Sequence, residues 1–209
     1  MPPDLSLERE GPGPVCGVDE VGRGPWAGPV VAAAVVLDPD RVPDGIDDSK
    51  KLTAPRRAQL HNEILACARV GVGVASVAEV DRLNVLQASF LAMRRALARL
   101  GTRPGLVLVD GKLLPPGLGC EARAVIGGDA LCVSIAAASV VAKVVRDRMM
   151  VSLAQQFPGY GWETNVGYGV RAHAEALARL GVTPYHRRSF APVHKMLCEE
   201  ATVKSLIQI

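Results

Sequence analysis

Val15-Cys16-Gly17-Val18-Asp19-Glu20-Val21-Gly22-Arg23-Gly24-Pro25 is an apolar run that ends in two adjacent carboxylates and then in a glycine-flanked arginine. Short β-branched runs bounded by Gly and Pro favour a buried strand over a helix, so this stretch reads as a strand that delivers acid groups at its end. Burying ionised carboxylates costs several kcal/mol per charge, as a rough figure, unless a partner compensates. A divalent cation is the expected partner. Two hard oxygen ligands beside an arginine able to meet a phosphate point to metal-assisted phosphodiester chemistry. Neighbours on a regular strand face opposite ways, so Asp19 and Glu20 share an ion only where the strand ends or bulges, and Gly22 and Gly24 permit such a break.

The glycine turn fits no standard nucleotide loop. Gly17 and Gly22 have P-loop spacing, but Arg23-Gly24 replaces the required Lys-Ser/Thr. Gly22, Gly24 and Gly28 are misspaced for a dinucleotide fingerprint. What is left is either an ordinary tight turn with a solvated arginine or a thinly covered backbone able to approach a sugar-phosphate chain and read a 2′-hydroxyl.

Moving outward, residues 29–37 predict a second strand, Thr53 an N-cap for a helix from about Ala54 to Ala68, and residues 70–77 a third strand. Helical segments follow from Ala78 to Leu100 and stop at Gly101. Leu106-Val107-Leu108-Val109-Asp110 is a continuous apolar run that again ends in a carboxylate before a glycine. A strand near residues 122–126 and helices at about 134–156 and 170–180 complete the pattern. Strands come mostly first and helices later, which favours an α/β sandwich with a mixed sheet.

Asp129, in Gly127-Gly128-Asp129, precedes a long apolar helix. Any one of Asp19, Glu20, Asp110 and Asp129 alone is most simply a turn acid or an N-cap. Together, at glycine-marked element ends, the four match a site for one or two Mg²⁺ or Mn²⁺ ions. Lys50, just before a helix, is either a phosphate contact or a solvated loop charge. Tyr168, between Gly167 and Gly169, is either open for stacking on a base or sugar or packed with only its hydroxyl paired. His186-Arg187-Arg188-Ser189-Phe190 reads equally as a basic surface turn or a phosphate contact. The four histidines form no metal-ligand pattern, and Ser134, Ser139 and Lys143 are expected to serve packing and polar pairing.

The 209 residues, 49% of them hydrophobic and few aromatic, suffice for a real core, and a formal charge of +3 permits a polyanionic partner without requiring one. Five cysteines, odd in number and widely spaced, read as reduced buried thiols. Residues 1–14, rich in Pro, Gly and charge, are expected to form a flexible N-terminal arm rather than a secretory signal. The most apolar segments are shorter than the roughly 20 residues a bilayer span needs. A cytoplasmic setting follows.

Gly17-Val-Asp-Glu-Val-Gly-Arg-Gly-Pro25, Asp48-Ser-Lys-Lys-Leu-Thr53, Val109-Asp-Gly111, the block from Gly128-Asp129 through Ser134–Ser139 to Lys143 and Arg146-Asp-Arg148, Gly167-Tyr-Gly169 and His186-Arg-Arg-Ser-Phe-Ala-Pro192 occur in order over residues 15–193. This set closely resembles bacterial ribonuclease HII. The resemblance implies a ribonuclease H-like fold, a mixed central sheet flanked by helices, with a helical C-terminal portion at about 160–209 inside a catalytic domain of residues 15–209. It also implies cleavage of RNA paired with DNA and of single ribonucleotides in duplex DNA, 5′ to the ribonucleotide, leaving 5′-phosphate and 3′-hydroxyl ends. By motif position Asp19, Glu20, Asp110 and Asp129 become catalytic, metal-binding carboxylates using Mn²⁺ or Mg²⁺. Gly22, Arg23 and Gly24 become the 2′-hydroxyl sensor, Tyr168 the aromatic that stacks on the sugar, and Lys50 a further substrate contact.

Arg23 and the short N-terminal extension separate the chain from the related type HIII enzymes. Glu163-Thr-Asn-Val-Gly167 lacks a lysine that relatives often place before the tyrosine, and Leu206-Ile-Gln-Ile209 lacks an aromatic-ended clamp-binding motif. No sliding-clamp tether and no membrane partner are expected, and the chain is read as a monomer. Two rival readings stand beside this one. The first is a nuclease or strand-transfer enzyme of the same fold without ribose selectivity, and the second is a non-catalytic module that binds RNA-DNA hybrids.

Overall fold

The computed structural model describes residues 2–198. Five strands, β1 (Val15–Val21), β2 (Val30–Val36), β3 (Arg69–Ala75), β4 (Leu106–Asp110) and β5 (Glu121–Val125), form one sheet in the order β3-β2-β1-β4-β5. β1 pairs antiparallel with β2 and parallel with β4, and β4 pairs parallel with β5. The sheet is therefore mixed, as the strand-first sequence pattern predicts.

The helices are α1 (Ser6–Arg9), α2 (Ala54–Cys67), α3 (Val77–Leu83), α4 (Val85–Ala98), α5 (Val133–Gln156), α6 (Trp162–Asn165) and α7 (Arg171–Leu180). Residues 191–198 are also helical. Thr53 caps α2 by accepting from the Arg56 N–H, as its position in the sequence suggests. The helical stretch expected over 78–100 is broken at Asn84, which has φ 69° and whose Oδ1 accepts from the N–H groups of Leu86 and Gln87. One asparagine thus ends α3 and caps α4.

By contact density the chain divides into two compact units. The first comprises Met1–Val21, Val31–Val74 and Ser89–Arg146; the second comprises Gly22–Val30, Ala75–Ala88 and the chain from Asp147 onward. In the first unit every residue from Cys132 to Ala142 is buried, so the front half of α5 is enclosed on all sides. A Cβ at Gly17 would stand 2.2 Å from the Ser134 carbonyl carbon, so β1 and α5 meet backbone to backbone and only glycine fits there. A core of Val15, Leu106, Leu108, Val125, Cys132 and Ile135 lies in the same unit. In the second unit, Ala27, Met150, Leu153, Tyr160, Trp162, Ala176, Leu177 and Val193 form a separate core.

Residues 2–14, expected as a flexible arm, make specific contacts. The Asp4 N–H donates to Leu131 O and the Val133 N–H to Asp4 O, each at 3.1 Å. Glu8 Oε1 accepts from the Ser134 N–H at 2.8 Å, and Glu10 pairs with Arg123 at 2.8 Å. Leu7 packs on the first-unit core. An acidic residue facing a helix start and one leucine facing a core supply these contacts.

Candidate active site

The parallel register of β1 and β4 runs from Val15↔Leu106 to Val18↔Val109, so one step further Asp19 and Asp110 are neighbours on the same face of adjacent strands. Asp110 Oδ1 accepts from the Gly128 N–H at 2.8 Å, which ties the turn carrying Asp129 to the end of β4. That turn is a short 3-10 helix, Gly128–Ala130, entered through Gly127 at φ 66°. Asp19, Asp110 and the turn carrying Asp129 thus lie at one end of the sheet.

Their electrostatics are those of crowded acids. Asp19 is 6% exposed. Burial, then the charges of Glu20 and Asp110, push its carboxyl well above the usual range, against hydrogen bonds from Ser139 and from the Glu20 N–H. Burial and then Asp129 raise Asp110, opposed by the backbone N–H groups of Gly128 and Asp129 and by Lys50. A set of hard oxygen donors whose mutual repulsion is this strong fits a divalent cation.

The arrangement is not closed around an ion. Among the described residues, no three His, Cys, Asp or Glu side chains stand grouped so as to hold a metal. The reason lies in their present partners. Asp19 Oδ1 accepts from the Glu20 N–H at 2.7 Å, Asp110 Oδ1 is turned to Gly128, and Asp129 Oδ2 accepts from Lys50 Nζ at 3.1 Å. Glu20 departs further from expectation. β1 pairs with β2 without interruption through Asp19↔Ala33, Glu20↔Ala32 and Val21↔Val31, so the strand does not bulge at the acidic pair and the two side chains leave opposite faces.

Lys50 sits beside these acids. Burial alone would lower its pKa, but the hydrogen bond to Asp129 and the charges of Asp129, Asp48 and Asp19 hold it above the ordinary lysine value. The Asp48-Ser49-Lys50-Lys51 turn is itself anchored, because Ser49 Oγ lies 2.9 Å from Ser139 Oγ and Arg57 donates to Ser49 O at 2.9 Å. Ser139 therefore links Asp19 to this turn, which gives the polar pairing expected of it two specific partners. The available signal was a serine inside an apolar alanine run, since a buried hydroxyl must find a partner.

Gly22, Arg23 and Gly24 lie in the second unit and are held from behind. Arg187, fully buried, donates to Gly22 O at 2.5 Å, Arg23 O at 2.9 Å, and Gly28 O at 3.0 Å from Nε and 2.8 Å from Nη2. It is thus neither the surface charge nor the phosphate contact that sequence left open. Its neighbour Arg188 gives its N–H to Asp81, as does Ser189.

Tyr168 is 44% exposed, and a Cβ on Gly24 would stand 3.5 Å from its ring, so the tyrosine and the glycine turn are side by side. The flanking glycines also serve a purpose beyond leaving that ring open. A Cβ at Gly167 would be 2.5 Å from Ala27 O, and one at Gly169 would be 2.1 Å from the Trp26 ring, so both glycines permit close packing against the chain just after the turn. Gly167 O accepts from the N–H groups of Trp26 and Ala27, and Arg187 N donates to Trp26 O at 2.7 Å.

A buried histidine pair supports the same region. Thr183 N donates to His186 Nδ1 at 3.0 Å, so His186 carries its proton on Nε2 and points it at His173 Nε2, 3.1 Å away. His173 Nε2 also accepts from Trp162 Nε1 at 3.1 Å, while its Nδ1 proton goes to Tyr168 O at 2.9 Å. Both rings are therefore neutral. Burial, followed by the neighbouring His173, pushes His186 down to about 3, and burial lowers His173.

Comparison with known proteins gives one consistent answer. The family model described as ribonuclease HII matches residues 16–193. A ribonuclease HII from Paracoccus denitrificans (strain Pd 1222) is 63% identical over 204 residues, covering 96% of this chain and 97% of that protein. The ribonuclease HII of Jannaschia sp. (strain CCS1) is 62% identical over 198 residues, 95% of this chain and all (100%) of that protein. Among solved structures, ribonuclease H2 from Pyrococcus horikoshii OT3 superimposes with a TM-score of 0.73 at 28% identity, covering 87% of this chain and 96% of that one. The fold also matches a Bst-RNase HIII at a TM-score of 0.73 and 22% identity, over 95% of this chain and 73% of that one.

Proposed function

This chain belongs to the ribonuclease HII family and is a divalent-metal-dependent endoribonuclease for RNA-DNA hybrids, and we propose that Asp19, Glu20, Asp110 and Asp129 hold its cations. The observation that carries this assignment is the β1–β4 register, which sets Asp19 beside Asp110, with the Asp129 turn hydrogen-bonded to Asp110. Glu20 joins the set by its place in the motif and because its charge is felt at Asp19; to share an ion with Asp19 its side chain would have to turn from the opposite face of β1. All four are hard oxygen donors, which suits Mg²⁺ or Mn²⁺. When bound, such an ion activates the attacking water and neutralises charge at the scissile phosphate.

The chain's own residues position the substrate. Lys50 is free to turn from Asp129 to a phosphate oxygen as the acids take up a cation, since its side chain is 77% exposed. Gly22, Arg23 and Gly24 present backbone and guanidinium groups to the ribose 2′-hydroxyl, and Tyr168 offers an open ring face to the adjoining sugar. Cleavage then falls 5′ of a ribonucleotide, including a single one within duplex DNA, and leaves 5′-phosphate and 3′-hydroxyl ends. The catalytic domain comprises residues 15–209, acting as a monomer. The C-terminal segment Leu206–Ile209, in which no sliding-clamp motif is legible, lies outside the described residues.

Nicking assays on duplexes containing one ribonucleotide, a longer RNA tract or DNA only, with and without Mn²⁺ or Mg²⁺, test this reading. Metal-dependent nicking of the first two and none of the third is expected. Equal cutting of the all-DNA duplex would remove the ribose-sensing assignment, and near-normal turnover by a folded Asp110→Asn variant would remove the catalytic one.

A further inference from the structure

The segment ahead of β1 lies outside residues 16–193, the part matched by the family model, yet it grips the acidic turn. Asp4 pairs through its backbone with both sides of Cys132, donating to Leu131 O and accepting from Val133 N. Leu131 is two residues past Asp129. Glu8 then caps α5 from a distance of 126 residues in sequence, its Oε1 accepting from the Ser134 N–H at 2.8 Å. Glu8 Oε2 and Ser134 Oγ are buried without a hydrogen-bond partner among the described residues. The carboxylate faces the start of the 24-residue α5, whose N-terminal N–H groups favour negative charge.

The turn needs such support. From Gly127 to Val133 its internal hydrogen bonds are the short ones from Ala130 to Gly127 and from Leu131 and Cys132 to Gly128. Gly127 and Gly128 add backbone freedom. Ile126 and Leu131 on either side of Asp129 are exposed, so the acidic part of the turn is held to the core only where Cys132 enters it.

We propose that residues 4–8 are a brace that positions the Asp129 turn for cation binding, with the Asp4 backbone and the Glu8 carboxylate as its positioning groups. This rests on the reading of Asp129 as a metal ligand. The brace acts like the outer partners of metal ligands in general, whose loss weakens metal affinity about 10–100-fold.

Calorimetric Mn²⁺ titration of the folded full chain tests it, together with duplex binding measured in EDTA. A deletion of residues 2–10 and a Glu8→Ala variant are expected to weaken Mn²⁺ binding about 10–100-fold, with duplex affinity in EDTA unchanged. Glu8→Gln, which keeps the oxygen acceptor, should restore near-normal Mn²⁺ binding. Glu10→Ala, which removes only the exposed pair with Arg123, should leave it unchanged. If the deletion does not fold, Glu8→Ala against Glu8→Gln carries the test. Mn²⁺ affinity within about twofold of the parent in a folded Glu8→Ala chain, where Asp129→Asn is clearly weakened, would overturn the brace alone. Parent-like affinity in Asp129→Asn would instead overturn the ligand assignment beneath it.

Discussion

Arg187 Nη2 lies 2.5 Å from the carbonyl oxygen of Gly22, so a charged side chain 165 residues away in sequence holds the first glycine of the Gly22-Arg23-Gly24 turn. The same guanidinium reaches the carbonyls of Arg23 and Gly28. A planar fork with five donors spans several acceptors at once, which a lysine ammonium cannot do.

Arg187→Lys is therefore expected to behave as a damaging substitution despite keeping its charge. Each carbonyl left unpaired in the interior costs roughly 1–3 kcal/mol. Cleavage of a duplex with one ribonucleotide should fall by about an order of magnitude or more, since about 1.4 kcal/mol is tenfold in rate. Mn²⁺ binding, proposed to use the acids of the first unit, should not change. Parallel cleavage and calorimetric measurements check both halves, and unaltered cleavage would show that the turn holds its shape without the fork.

Stability should fall in acid because of His173 and His186. Both are held neutral in the fold, with pKa values below the ordinary histidine value and His186 at about 3. The unfolded chain takes up protons at these sites below about pH 6.5, where the folded chain does not. Their contribution is thus fully present above pH 6.5 and is lost as pH falls through each lowered value, which for His186 is about 3, at up to about 1.4 kcal/mol per pH unit for each group. Denaturant melts at stepped pH should show this slope, and it should flatten in a folded His186→Asn variant.

Asp19→Asn is expected to raise the melting temperature measured without divalent metal, while abolishing turnover. The carboxylate is buried beside Glu20 and Asp110 and its pKa is raised, so its ionised form destabilises the metal-free fold at neutral pH. Relief of about 1 kcal/mol corresponds to about 2–4 °C for a chain of this size. Added Mn²⁺ should stabilise the parent and not the variant. A lower metal-free melting temperature in the variant would mean that the Ser139 hydrogen bond outweighs the repulsion.

Lys50→Gln should separate cation binding from substrate binding. The ammonium now competes for Asp129 Oδ2 at 3.1 Å, so its removal should tighten Mn²⁺ binding while raising KM for duplex. Calorimetry and steady-state kinetics read the two effects independently. Weaker Mn²⁺ binding in this variant would show that the lysine organises the acids rather than shielding them.

The sequence by itself determined the strands, because continuous β-branched runs between glycines have few alternatives, and it located Asp19, Asp110 and Asp129, because acids at the ends of apolar runs stand out. It also marked the glycine turn, Lys50 and Tyr168 for their chemistry. The tertiary structure decided what long-range partners alone can specify. Arg187 became an internal scaffold and not a surface charge, Ser139 became a partner of Asp19, and Gly167 and Gly169 proved to admit Ala27 and Trp26 closely beside the exposed Tyr168. The uninterrupted β1–β2 pairing that turns Glu20 away from Asp19, and the docking of residues 4–10, belong to the same class. Local composition encodes which segments become strands and helices. Hydrogen-bond partners more than 100 residues away are set only when the packed chain removes water from both groups at once.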